Sequence, residues 1–170
     1  MLYMCKTQVT LTLSEELDGD DLLILSKLQK NSKIGYKKLS KITGIPASTI
    51  HDRVKRLTEK GVIKGYMTLL NEESLGYTHA AIIGVETGAR QYKEVAADLS
   101  RLDEVVEVYG TTAQYDLMIK IRTYSRSHLS EALDKVRNIQ GVNDINIASI
   151  LEVFKEEHTL PLSTKLDTRT

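Results

Sequence analysis

The spacing of apolar positions changes character partway along the chain. Up to Leu57 they recur at threes and fours: Ile24, Leu25 and Leu28, with Leu22 extending that face, and later Ile50, Val54 and Leu57. That spacing predicts amphipathic helices. A first helix is expected from Asp18 or Asp20 to Asn31, its start marked by Asp18, Asp20 and Asp21, which suit orphan amides and the helix dipole. A second is expected over residues 36–43, closed by Gly44. A third begins near Pro46 and runs to Lys60, with Gly61 as its C-cap. Leu39, Ile42, Ile45, Ile50, Val54 and Leu57 are the expected core positions of this pair, and small Ser40 gives two crossing helices room. Residues 62–69 should continue as a strand or short hairpin, a wing.

Beyond residue 78 the texture becomes that of a sheet with helices. Residues 80–87, 105–111, 115–123 and 142–156 carry strand-like runs, the last alternating through Ile145, Ile147, Ile150 and Val153. Between them, residues 90–102 place Val95, Ala96, Leu99 and Leu102 on one helix face, and residues 127–139 do the same with Leu129, Ala132, Leu133 and Val136. The order βαββαβ predicts a ferredoxin-like domain with two helices on one sheet face. The other face needs a cover, and a second copy of the chain is the simplest one, so a homodimer is expected. The expected organisation is α+β: an N-terminal extension at 1–16, a helix-turn-helix with wing at 17–70, a linker at 71–77, the βαββαβ domain at 78–157 and a flexible tail at 158–170. Residues 7–14 also alternate weakly as a strand.

Charge sharpens this division. The 170 residues balance to zero, with 23 Lys and Arg against 23 Asp and Glu. Yet residues 34–66 carry Lys37, Lys38, Lys41, Arg53, Lys55, Arg56, Lys60 and Lys64 against Asp52 and Glu59, so the rest is acidic overall. A basic half suits a phosphate backbone. In the third helix Ile50, Val54 and Leu57 face inward, which leaves Ser48, His51, Asp52 and Lys55 on the opposite face and Thr49, Arg53, Arg56 and Lys60 on the flank. Short polar groups near a helix N-terminus reach base edges, and cations along its sides reach phosphates. The competing view, that these charges only solvate a surface helix, is weakened by the turn, the core spacing and the basic segment that follows. Ser48, Thr49 and His51 are therefore expected near base edges, and Arg53, Lys55 and Arg56 on phosphates or flanking bases of double-stranded DNA.

Composition excludes other classes. A hydrophobic fraction of 41% with 27% charged residues is ordinary for a globular protein. No apolar run approaches the roughly 20 residues of a membrane span, and no signal-peptide pattern opens the chain. The single Cys5 cannot form an internal disulfide and fits a reducing compartment, so a cytoplasmic location is expected. His51, His79, His128 and His158 show no metal-ligand spacing, and Glu156-Glu157-His158 reads as solvated. No phosphate-binding loop or nucleophile elbow is present, so neither enzyme activity nor a metal or cofactor is expected.

Several motifs together resemble the Lrp/AsnC (feast/famine) family of prokaryotic transcription regulators. They are Leu17-Asp18-x-x-Asp21-x-x-Ile24-Leu25-x-x-Leu28-Gln29, Leu39-Ser40-x-x-x-Gly44, Arg53-Val54-Lys55-Arg56-Leu57-x-x-x-Gly61-Val62-Ile63-x-Gly65-Tyr66 and Gly141-Val142. The resemblance implies a dimer, often assembled into octamers, that bends or wraps DNA, with a second domain that senses an amino acid or related metabolite. It also points to the loop Thr111-Thr112-Ala113-Gln114-Tyr115-Asp116, where the family usually shows Gly-x-aromatic-Asp. Tyr115 and Asp116 match, but Ala113 stands where glycine is usual, and Gly110 either substitutes for it or only ends the strand. Such a loop suits a zwitterion, with amides and hydroxyls for the carboxylate and Asp116 for the ammonium. Alternatively, Asp116 makes a structural hydrogen bond and Tyr115 packs in the core. A DNA-wrapping protein without ligand control is the alternative reading of the whole.

Overall fold

The computed structural model describes residues 17–88 and 91–162. The strand expected at 7–14 and the tail beyond 162 lie outside them. The chain divides into two compact units, one of residues up to 68 together with those from 157, the other of residues 69–156.

The first unit is helical: α1 (Gly19–Leu28), α2 (Tyr36–Thr43) and α3 (Ala47–Glu59). Asp18 caps α1 in a reciprocal box: its carboxylate accepts the Asp21 amide at 2.8 Å, and the Asp21 carboxylate accepts the Asp18 amide at 3.4 Å. Gly44 ends α2 with φ of 76°, a left-handed conformation that a side chain would strain. Pro46 stands as N-cap of α3, where it withholds no helical donor. At the far end Lys60 is the C-cap and Gly61 lies one position beyond. The Gly61 amide bonds the Thr58 carbonyl and the Val62 amide bonds that of Leu57, a Schellman ending. Ile24, Leu28, Leu39, Ile45, Ile50, Val54, Leu57 and Ile63 form the core.

Two expectations fail in this unit. Ile42 is 51% exposed. Helix α2 has little more than two turns and buries its Leu39 side; three residues on, a side chain is turned about 60° away from that direction. Residues 62–69 form no strand. Ile63 drops into the helical core, which draws the chain out of line, and an unsupported two-stranded ribbon is marginal in any case. At the other end of the unit, the Gln29 side chain exchanges two hydrogen bonds with the backbone of Leu160, at 2.7 and 3.0 Å.

The second unit contains β1 (His79–Thr87), α4 (Tyr92–Leu99), β2 (Val105–Gly110), β3 (Leu117–Thr123), α5 (Arg126–Arg137) and β4 (Val142–Ser149). This is βαββαβ, with an antiparallel sheet in the order β2-β3-β1-β4. Inward residues of the central strands (Ala81, Ile83, Val85, Leu117, Ile119, Ile121) pack against Val95 and Leu99 of α4 and Ala132 and Val136 of α5. Strand β4 stops at Ser149, which pairs with Ala81, instead of reaching Glu156. Its partner β1 begins only two residues before Ala81, so little backbone remains to pair with. Leu151, Val153 and Phe154 follow, exposed. On the sheet face away from α4 and α5, Ile82, Val106 and Tyr109 are exposed.

Candidate nucleic-acid interface and effector loop

Helix α3 buries Ile50, Val54 and Leu57. The same rotation leaves Ser48, His51, Asp52, Lys55 and Arg56 exposed and Thr49 partly so. Ring Nδ1 of His51 lies 3.2 Å from Asp52 Oδ1, and its ring meets Tyr36 of α2 edge-on at 5.8 Å between centroids. Tyr36 thus braces a ring that would otherwise swing freely at the helix surface. Lys55 lies 4.0 Å from Glu59, one turn along, a loose exposed pair that leaves it available.

The two arginines behave differently from Lys55. Arg53, expected on phosphates, turns back to α1: its Nη1 donates to Asp18 at 2.6 Å and Asp21 at 2.9 Å, and its Nη2 to Asp20 at 3.3 Å. Three carboxylates surround it and only 21% of its side chain is exposed, so its charge is engaged within the unit and not turned outward as expected. The reason is local: the acids that cap α1 stand opposite this part of α3. The bond from Arg53, against a smaller cost of burial, holds the Asp18 carboxyl below its usual range, and the same partners push the Arg53 guanidinium up. Arg56 donates Nη2 to Asp21 at 2.5 Å but keeps 44% of its side chain exposed. Asp21 itself has no exposed surface. In the sequence these aspartates are legible only as helix-capping groups, since no local pattern joins residue 21 to residues 53 and 56.

In the second unit the loop from Thr111 to Asp116 is tied to itself. The Thr111 hydroxyl donates to the Tyr115 carbonyl, and the Thr111 amide to the Asp116 carbonyl at 2.9 Å. Thr112, Ala113 and Gln114 form the exposed tip, with the Ala113 amide 3.4 Å from the Thr111 hydroxyl. Asp116 Oδ2 accepts from the Thr87 amide at 2.8 Å and from its hydroxyl at 3.2 Å. One carboxylate oxygen is thus spent on the protein's own β1, as the structural alternative requires. Tyr115 lies against Gly84, where an added Cβ would fall 2.4 Å from the ring. Only glycine fits beneath that ring, a dependence that strand alternation does not signal. Gly110 closes β2 and is not among the glycines with positive φ, so it does not supply a left-handed hinge for the loop.

A third cluster was not foreseen. Glu104, 7% exposed, receives Lys135 Nζ at 2.6 Å and lies 3.0 Å from His128 Nε2. Burial raises its pKa, but the bonds from Lys135, the backbone and His128 outweigh it and bring the carboxyl to about 2. Tyr124 stacks on His128 at 4.0 Å. Glu156, read above as merely solvated, is taken by Lys120 and Arg122. Among the described residues no grouping of His, Cys, Asp and Glu could hold a metal ion.

Comparison with known proteins bears on both surfaces. Residues 17–64 match the family model described as winged helix-turn-helix DNA-binding, and residues 80–160 that of the Lrp/AsnC ligand binding domain. The HTH-type transcriptional regulator FL11 of Pyrococcus furiosus is 44% identical over 146 residues, which cover 86% of this chain and 97% of the relative. Regulatory protein AsnC of Haemophilus influenzae is 33% identical over 79% of this chain and 89% of its own length. Among solved structures, E. coli AsnC superposes with a TM-score of 0.78 at 30% identity, covering 84% of this chain and 97% of that one. A transcriptional regulator from Neisseria meningitidis in complex with L-Met superposes at 0.82 and 28% identity, covering 88% and 99%.

Proposed function

This chain belongs to the Lrp/AsnC family of transcription regulators, not to a family of enzymes, and on that footing we propose how it recognises DNA and what tunes it. Helix α3 enters the major groove with Ser48, Thr49 and His51 toward base edges. Lys55 and Arg56 meet the phosphate backbone. Arg53 serves as the brace between α1 and α3 and not as a contact. The observation that carries this reading is the outer face of α3, where Ser48, His51 and Lys55 are exposed above a buried apolar stripe.

The second unit binds an amino acid or a related small metabolite at the loop 111–116, and binding alters DNA affinity. The ligand-binding description of the matching family and the L-Met complex of the Neisseria relative support this. With Asp116 Oδ2 engaged by Thr87, the loop contributes chiefly its exposed amides and the Thr112 and Gln114 side chains. The exposed Ile82, Val106 and Tyr109 on the open sheet face support a homodimer through that face, from which octamers are built. No helix among the described residues is long and apolar enough to cross a membrane.

The test is a titration of the purified chain on its own upstream DNA and on unrelated DNA, with and without a pool of amino acids. Preference for the upstream DNA that shifts with the pool is expected. Equal binding to both DNAs would overturn specific recognition, and a preference indifferent to the pool would overturn amino-acid sensing.

A further inference from the structure

We infer that Asp21 is a positioning residue for DNA recognition: from beneath the surface it aims Arg56 at the phosphate backbone. The inference rests on the reading of Arg56 as a DNA contact and adds the group that acts through it. Asp21 is fully buried and divides its carboxylate, Oδ1 to Arg53 at 2.9 Å and Oδ2 to Arg56 at 2.5 Å. Its own placement is doubly secured, by its position in the first turn of α1 and by the capping box with Asp18.

The two arginines then differ in what they have left to give. Arg53 satisfies Asp18, Asp20 and Asp21 and is mostly covered. Arg56 spends one terminal nitrogen on Asp21, while the rest of its fork lies in a side chain 44% exposed. A guanidinium has five donors in fixed geometry, so one edge can be pinned by an acid while the other meets a phosphate oxygen. A free arginine would lose side-chain freedom on docking. Pinned to a carboxylate that cannot move, Arg56 has already lost much of that freedom before DNA arrives. The arrangement gives up one charge of long-range attraction in exchange for a fixed contact geometry, which favours the correct register over non-specific contact.

A double-mutant cycle on the full chain tests this, with Asp21→Asn, Arg56→Ala and the pair titrated on upstream and unrelated DNA, folding followed by thermal melts. Asp21→Asn keeps the shape but removes the charge. It should lower the ratio of upstream to unrelated affinity by about tenfold, the loss of one charge-assisted bond, without weakening binding to unrelated DNA. In the Arg56→Ala background it should not change the ratio further. Parallel changes on both DNAs, or an undiminished Asp21→Asn effect in that background, would overturn the inference. An Arg56→Ala protein that binds as the wild type would overturn the contact reading itself, whereas an Arg56→Ala loss without an Asp21→Asn loss removes only the role of Asp21. Should Asp21→Asn fail to fold, Arg56→Lys keeps the charge and loses the fork. Its ratio should fall similarly, and an unchanged ratio would count against the positioning role.

Discussion

Among the described residues each unit buries one carboxylate against two basic side chains, and the kind of side chain sets what is left to offer outward. In the helical unit Asp21 holds Arg53 and Arg56; in the sheet unit Glu104, just before β2, holds His128 and Lys135 of α5. Arginine keeps its charge at any accessible pH and has donors to spare, so a half-exposed Arg56 can serve an acid below and a phosphate above. Lys135 is about as exposed as Arg56, at 50% of its side chain against 44%, but it carries one compact ammonium where Arg56 carries a rigid fork, and His128 meets Glu104 through one ring nitrogen. His128 Nδ1 is buried without a partner among the described residues, and Tyr124 covers the ring. On the proposed reading of Arg56, the same device supports the DNA-binding surface in one unit, while in the other it ties the start of β2 to α5.

The largest expected effect tests the burial side of that contrast. Asp21→Ala strands Arg53, which is mostly covered, and should cost about 4 kcal/mol in urea unfolding of the helical unit. Glu104→Ala should cost about half as much, because the Lys135 side chain is 50% exposed and regains water. Equal losses would break the distinction.

Next in size is acidification. The folded Glu104 carboxyl sits at about 2 against an ordinary 4.5. Its contribution is therefore complete above the unfolded value and is lost as pH falls from about 4.5 toward 2, an order of about 3 kcal/mol. Asp18 and Glu156, also lowered, act in the same direction. Glu104→Gln should flatten the acid limb of the sheet unit's stability profile; an unchanged limb would remove Glu104 as its source.

Gly84→Ala should cost about 2 kcal/mol, since the new methyl group must displace the Tyr115 ring, and the response to amino acids should fall with it. Thermal melts and ligand-dependent DNA titration read the two effects separately. Smallest is Tyr124→Ala, about 1 kcal/mol from the lost stack on His128, with DNA discrimination unchanged. A change in discrimination there would make the sheet cluster more than a tie.

Local pattern reached far in this chain, and its failures share a cause. Helix α2 ran where its Tyr36 to Thr43 spacing and Gly44 stop put it, and the βαββαβ order followed from alternating periods and short loops. Ile42 was misplaced because periodicity marks an apolar face without saying how wide a neighbour covers it. Strand character at 62–69 did not survive the pull of Ile63 into the core. In the candidate site, Ser48, His51 and Lys55 were legible as the face opposite Ile50, Val54 and Leu57. The ion pairs of Arg53 were not, because its partners lie more than thirty residues away at the start of α1. For the same reason Gly84 under Tyr115 and Glu104 beneath α5 carry no mark that a one-dimensional pattern preserves.

The most direct measurement is a titration of Ser48→Ala, His51→Ala and Lys55→Ala proteins on the upstream DNA and a set of single-base variants of it. Lys55→Ala should weaken every DNA by one factor and lower the salt slope by about 0.9, whereas Ser48→Ala and His51→Ala should change the ranking among the variants. If all three substitutions weakened every DNA equally, the exposed face of α3 would not be reading bases.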